Sequence, residues 1–248
     1  MFFNSSVYFI ALRYLRPSKE QGMVSIISLF SFLGIILGVG TLIIVMSVMN
    51  GFRTELINKI LGFNAHITIK PYGKKIEKHD ITKLDQLSNL ISKKFYSLNG
   101  QGVLINKENT QGVLVRSYDR KDLKKIELLK KGIIDGSLDK LNANSISIGK
   151  DLAIYLDLIV GEEVVLMSTA NVQTIFGSLP IQQSFIVSSI FSSGLAEFDQ
   201  HVIFMTMNDA IPFFGASEND ILLEIFLKKP DDIIIAKNKV QKLFSEYY

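Results

Sequence analysis

The residues able to do covalent chemistry are few and badly spaced for it. His66, His79 and His201 are the only imidazoles, too far apart in sequence to give a ligand-like spacing for a metal. Asp199 precedes His201 by two residues, the outline of half a catalytic triad, but the pair reads more simply as a solvated strand end. Gly149-Lys150-Asp151 is only a fragment of the G-x-x-x-x-G-K-[ST] phosphate loop. Neither G-x-S-x-G nor H-E-x-x-H occurs, and without cysteine there is no thiolate site and no disulfide framework. These absences predict no catalytic residue, no metal, no cofactor and no enzyme.

Binding chemistry is better represented. Val164 to Ala196 is a run of 33 residues without a charge or a histidine. Ser168, Thr169, Asn171, Gln173, Thr174, Ser178, Gln182, Gln183 and Ser184 are scattered through it and Pro180 interrupts it, so its desolvation in lipid would cost too much for a crossing. Strand candidates at Val164 to Met167 and Phe185 to Phe191 flank a loop, Ser168 to Gln183, with Ile175, Phe176, Leu179 and Pro180 at its centre. Such a loop either folds back onto its own core or stands out as a finger that enters a partner's apolar groove.

The element that must hold this loop in place lies at the other end of the chain. Gln21 to Phe52 is a run of 32 residues without Asp, Glu, Lys, Arg or His. As a helix it extends about 48 Å, more than the roughly 30 Å of a bilayer's hydrocarbon core. It is about twice the length of a signal-peptide core, and Met46-Ser47-Val48-Met49-Asn50 is no small-x-small cleavage site, so a retained crossing is predicted. Arg13, Arg16 and Lys19 flank its start and only Arg53 and Glu55 its far end, which places the N-terminus in the cytoplasm and residues beyond 62 outside.

Ahead of it, Phe2, Phe3, Val7, Phe9, Ile10, Leu12 and Leu15 mix with Arg13 and Arg16 up to Pro17, either an interfacial helix or an irregular tail. Gly34 and Gly38 form a G-x-x-x-G pair that lets a second helix approach closely, although glycine is common in membrane helices. Val45, Met46, Met49 and Phe52 at the outer end either line an apolar path or simply face lipid. Phe52, Leu56, Ile60 and Phe63 keep the helical spacing through charged neighbours, which predicts a stalk ending near Gly62.

Net charge is +3, from 27 Lys+Arg against 24 Asp+Glu, with no basic patch of nucleic-acid size, so a nucleic-acid partner is excluded and membrane lipid is expected. The expected organisation is a cytoplasmic interfacial segment 1–20, a crossing and stalk 21–62, and an outer α+β domain 63–248. Within the last, strands are predicted at Ala65 to Ile69, Val103 to Ile105, Val113 to Val115, Ile146 to Ile148, Val202 to Met205 and Ile221 to Leu227. Helices are predicted at 81–95, 121–130, 150–157 and 231–246.

At this point a family resemblance emerges. Ala11-Leu12-Arg13-Tyr14-Leu15-Arg16, Val24-Ser25, Gly34-Ile35-Ile36-Leu37-Gly38-Val39, above all Val48-Met49-Asn50-Gly51-Phe52, and then Leu61-Gly62 resemble the start of the LolC/LolE family of lipoprotein-releasing permeases. Val160-Gly161-Glu162-Glu163-Val164 and Gly177-Ser178-Leu179-Pro180-Ile181-Gln182-Gln183 resemble its periplasmic domain, in the LolC-like form.

The resemblance implies a membrane α+β fold: one N-terminal transmembrane helix and a periplasmic domain of the exporter-permease type. It implies location in the cell inner membrane and ABC-driven extraction of lipoprotein cargo, which passes to a LolA-type periplasmic carrier. The implied partners are a LolD-type ATPase and a second LolC/LolE-type permease subunit, the same or different. It assigns a carrier-binding hook to the hairpin 168–180, with Ile175, Phe176, Gly177, Leu179 and Pro180, and a pad to Gln182 and Gln183. Family pads often use arginine; here the pad is neutral, with Val165 where another arginine would be expected. Family members have four crossings, so a chain ending at Tyr248 is expected to be a fragment, a split-gene product or a truncation. The alternatives are a permease of the related macrolide or peptide exporters and a single-pass periplasmic sensor or adaptor, the latter disfavoured by the short segment before the crossing.

Overall fold

The computed structural model describes residues 7–10, 13, 22–71, 76, 78–174 and 177–244. The chain divides into two compact units, residues 1–57 and 58–248. Residues 7–10 and 13 are helical, and the rest of the interfacial segment lies outside the described residues.

Helix α1 runs from Gly22 to Phe63, 42 residues and so about 63 Å. Its apolar span, Ile26–Ile57, reaches a mean hydropathy of 2.6 with none of that window buried. Ile26, Ile27, Ile35 and Ile36 are exposed on four different sides of the helix, so it has no polar stripe to turn toward water.

The second unit is α+β. Its strands are β1 (Ile67–Ile69), β2 (Ile91–Asn106), β3 (Asn109–Tyr118), β4 (Ile133–Gly136), β5 (Ser145–Gly149), β6 (Glu163–Thr174), β7 (Gly177–Phe191), β8 (Val202–Thr206) and β9 (Leu222–Leu227). Its helices are α2 (Lys78–Lys83), α3 (Arg120–Leu123), α4 (Glu127–Gly132), α5 (Lys150–Leu156), α6 (Ala196–His201), α7 (Met207–Phe214) and α8 (Ile233–Leu243).

Six strands pair in a closed ring, β2 with β3, β3 with β8, β8 with β5, β5 with β7, β7 with β6, and β6 back with β2. Every ring strand supplies side chains to one apolar cluster, including Leu104, Val115, Ile203, Ile148, Val187 and Leu166, and Leu152 of α5 and Phe213 of α7 join it. The closing seam needs a glycine: a Cβ on Gly102 of β2 would lie 2.8 Å from the Met167 carbonyl oxygen of β6.

Both β2 and β7 change partners along their length. The first half of β2 pairs with β9, which carries β1 on its far side, and the second half passes to β6. The C-terminal end of β7 pairs with β4 instead of β6. A second apolar cluster, with Ile69, Leu84, Leu223, Ile225, Val240 and Phe244, joins β1 and β9 to α8.

The helix predicted over 81–95 is corrected by the structure. Helical geometry ends with a 3-10 turn at Leu84–Leu87, and Ile91 already belongs to β2. Leu84 and Leu87 are buried as a helical face requires, but Ile91 and Phe95 are buried through pairing with Leu227 and Glu224 of β9, a tertiary ladder that overrides a pattern about four turns long.

A buried charge group sits where β2, β3 and β9 adjoin. Glu224 accepts on Oε1 from Ser97 Oγ and Arg116 Nη2, and on Oε2 from Tyr118 OH, each at 2.9 Å. Arg116 Nη1 also donates to Asn64 Oδ1 at 3.3 Å, just beyond the end of α1. Burial pushes the Tyr118 phenol far above its ordinary range, so it remains a donor. Removing the carboxylate would leave buried donors facing no charge, so Glu224→Ala is expected to cost about 3–5 kcal/mol in denaturant unfolding. Glu127→Ala, which removes an exposed carboxylate bridging Lys93 and Lys131, is expected to cost about 1 kcal/mol or less. Equal losses would contradict this account of the buried group.

Candidate functional site

The neutral run forms a hairpin. Val164, Leu166 and Phe185 alternate with exposed or half-exposed neighbours, so one face of β6 and β7 is core and the other is open. The loop expected between Ser168 and Gln183 is instead mostly strand: pairing runs from Glu163↔Ile186 to Met167↔Gln182 and resumes from Asn171↔Pro180 to Thr174↔Gly177. In the outer ladder Val172 stands opposite Leu179 and Gln173 opposite Ser178, so pairing here follows no alternating apolar pattern that a composition-based reading could see.

Beyond Ser168, β6 has no other paired neighbour among the described residues, and β7 meets β5 only from Ile186 onward. The two arms therefore leave the ring as a self-paired ribbon. The six residues from 169 to 174 give it a reach of about 20 Å. At its root, Ser168, Thr169 and Ala170 stand opposite Ile181 alone, a bulge that bends the ribbon and increases its twist. Pro180, which has no N–H to donate, is tolerated because it lies beside this irregularity in an arm with no neighbour on its outer side.

The candidate residues fall at different levels of this ribbon. Leu179 and Pro180 are exposed in the free part, Leu179 to 53%. Gly177 is the first residue of β7, and Ile175 and Phe176 lie outside the described residues. Gln182 is exposed at the root, its Nε2 directed at Met167 Sδ at 3.5 Å. Gln183 belongs to the opposite face and donates from Nε2 to Asn144 Oδ1 at 2.8 Å. Asn144, in the left-handed region at φ 56°, also accepts from the Ile186 N–H at 2.9 Å. Asn144 is thus a brace for Gln183 that the sequence did not reveal; its only signal was an asparagine in a turn-rich segment.

In α1, Val45, Met46, Met49 and Phe52 are all exposed, and an added Cβ at Gly34 or Gly38 would meet nothing within 4 Å.

The catalytic fragments dissolve into structural roles. Asp199 is not a solvated strand end: it is buried in α6 and accepts from Ser192 Oγ at 2.9 Å and the Ser193 N–H at 2.7 Å. His201 Nδ1 lies 3.0 Å from the Glu197 carbonyl oxygen, one helical turn back. His66 Nδ1 accepts from the Leu227 N–H at 3.3 Å, and burial holds its pKa below the usual histidine range. A cleft of about 410 Å³ contains Asp209, but that carboxylate accepts from Thr206 Oγ1 at 2.8 Å and the Asn144 N–H at 3.2 Å. No cluster able to hold a metal is present among the described residues.

The fold and the ribbon define a class, and comparison with known proteins bears on it. Residues 28–243 match the family described as the MacB-like periplasmic core domain, and the chain belongs to that family. It is similar to the lipoprotein-releasing system transmembrane protein LolC of Xylella fastidiosa (strain Temecula1), with 30% identity over 84% of this chain and 51% of that protein. The LolC of Neisseria meningitidis serogroup B is 28% identical over 90% of this chain and 54% of its own length. The chain therefore spans about half the length of the curated relatives it matches. Among solved structures, the extracellular domain of the noncanonic ABC-type transporter YknZ from Gram-positive bacteria aligns with 14% identity and a TM-score of 0.47, covering 73% of this chain and 94% of that one.

Gly149 shows why the phosphate-loop fragment exists. It closes β5 and precedes α5, and a Cβ there would lie 2.1 Å from the Asp199 carbonyl oxygen. Gly149→Ala is expected to destabilise the unit by about 1–3 kcal/mol in thermal unfolding, as overpacking against backbone does. Lys150→Ala, an exposed change, is expected to leave unfolding within about 0.5 kcal/mol of the parent. Loss of nucleotide binding by Lys150→Ala would contradict the packing role.

Proposed function

We propose that this chain belongs to a permease subunit of an ABC transporter that extracts lipoproteins from the inner membrane and passes them to a periplasmic carrier. The observation that carries the proposal is the self-paired β6–β7 ribbon with Leu179 exposed on its free part, in a chain similar to LolC. In this scheme α1 crosses the membrane with its N-terminus in the cytoplasm, and residues beyond 62 form the periplasmic domain. ATP hydrolysis belongs to a separate LolD-type ATPase.

The physical logic is a separation of tasks. A two-stranded ribbon satisfies its own backbone in water, so it can extend beyond the ring without unpaired edges between its arms. Its apolar side chains then enter the cavity of a LolA-type carrier, where leaving water supplies the binding free energy. Ile175, Phe176, Gly177, Leu179 and Pro180 form the hook in this scheme, and Gln182 and Gln183 form a neutral pad that adds hydrogen bonds without charge. Val45, Met46, Met49 and Phe52 offer the acyl chains of a lipoprotein an adaptable apolar path. Gly34 and Gly38 leave room for a helix of the second LolC/LolE-type permease subunit, same or different.

A second reading, a permease of the related macrolide or peptide exporters, is favoured by the MacB-like description of the family. The two are separated by a photocrosslinker at Phe176 in membranes supplied with a LolA-type carrier. An adduct is expected, and Leu179→Asp is expected to reduce it about 10- to 100-fold, the loss of one buried leucine contact. An unchanged adduct would remove Leu179 from the hook. Absence of any adduct from a folded chain would overturn the carrier assignment.

A further inference from the structure

The exposed apolar surface of the second unit has a feature that the ribbon does not explain. Helix α8 opens with three consecutive isoleucines, Ile233, Ile234 and Ile235, of which Ile234 is 71% and Ile235 is 53% exposed. The helix buries only a narrow stripe, Ala236, Val240 and the following Phe244, against β1 and β9. Around the isoleucines, residues 228–243 carry Lys228, Lys229, Lys237, Lys239 and Lys242 against Asp231 and Asp232. That is a net of +3 in 16 residues, with lysines on both sides of the apolar triplet in the chain.

Chain connectivity limits where this segment can lie. The apolar span of α1 ends at Ile57, and the helix ends at Phe63, about 9 Å further along. Three residues later the His66 N–H donates to the Ile225 carbonyl at 3.1 Å, and His66 Nδ1 accepts from Leu227. The C-terminal end of β9 is therefore tied to the point where the chain leaves α1, and only five residues separate Leu227 from the start of α8.

We infer that the start of α8 is a second membrane contact: Ile233, Ile234 and Ile235 insert at the bilayer interface while Lys228, Lys229, Lys237 and Lys239 meet anionic lipid headgroups. Apolar side chains ringed by lysines are the pattern of interfacial anchoring, in which burial and attraction to an anionic surface act together. The two aspartates precede the helix and are outnumbered by the lysines within Debye reach. Such a contact would hold the base of the periplasmic unit against the membrane and restrict its swing. It rests on the reading that α1 crosses the bilayer.

The chain contains no cysteine, so single nitroxide labels can be placed on the intact protein without a background. Labels at Ile234→Cys, at Leu37→Cys in α1 and at Ile154→Cys, a 68% exposed residue of α5, are compared in nanodiscs of phosphatidylethanolamine and phosphatidylglycerol. Collision with oxygen and with a water-soluble nickel chelate is read for each. Leu37 is expected to be shielded from nickel and Ile154 open to it, with nickel access at Ile234 at least threefold below that at Ile154. Adding Lys237→Glu and Lys239→Glu is expected to restore at least half of the lost access.

Equal nickel access at Ile234 and Ile154, with Leu37 shielded, would overturn the α8 contact and leave the crossing intact. Nickel access at Leu37 would overturn both. Dipolar broadening between Ile234 labels in the nanodiscs, lost on dilution with unlabelled chain, would mean that a second copy covers the patch, and would also overturn the lipid assignment.

Discussion

Closure of the six-strand ring is the constraint on which the rest of the second unit depends. A strand edge left open to water is a liability, and the ring removes it by returning β6 to β2. That seam is short, four residue pairs from Gly102↔Ser168 to Ile105↔Val165, whereas β6 and β7 pair over nine. The surplus length of the hairpin has no place in the ring and must extend beyond it. The ribbon is thus a consequence of strand lengths, with the bulge at Ser168 to Ala170 setting its departure and Gly102 permitting the close backbone approach that completes the seam.

The same economy of pairing explains the accessory strands. Where β6 does not cover β2, β9 does; where β6 does not cover β7, β4 does. Glu224 lies at the first of these handovers, and its three hydrogen bonds draw β2, β3 and β9 together with a specificity that apolar packing alone does not give. Through Arg116 the group also reaches Asn64, so the residues that follow α1 are fixed to the middle of the sheet by charge-assisted contact.

Much of this was legible in the sequence. The all-round apolar helix, the β2–β3 hairpin, β5, β8, β9 and α8 follow from period and composition. The strands β6 and β7 were visible only at Val164 to Met167 and Phe185 to Phe191, where burial imposes alternation. Their outer halves, rich in Ser, Thr, Asn and Gln, carry no alternating apolar pattern and so no such signal. The second half of the helix expected at 81–95 failed for the opposite reason: Ile91 and Phe95 satisfy a helical spacing by chance while a long-range ladder decides their conformation. The buried Arg116–Glu224 pair joins residues more than a hundred positions apart, a separation at which single-sequence patterns carry nothing. At the site, Leu179 and Pro180 were identifiable as an apolar interruption of a neutral run, but Asn144, which braces Gln183, was not.

The central claim is that the ribbon, and not the ring, is the surface that meets the carrier. Hydrogen exchange on the full chain in nanodiscs, with and without a LolA-type carrier, tests it most directly. The account predicts slower exchange on carrier addition at amides 171–174, 177–179 and 181–182, with no change along Gly102 to Ile105 or Val164 to Met167. Unaltered exchange in the ribbon, with protection appearing instead on the ring strands, would contradict it.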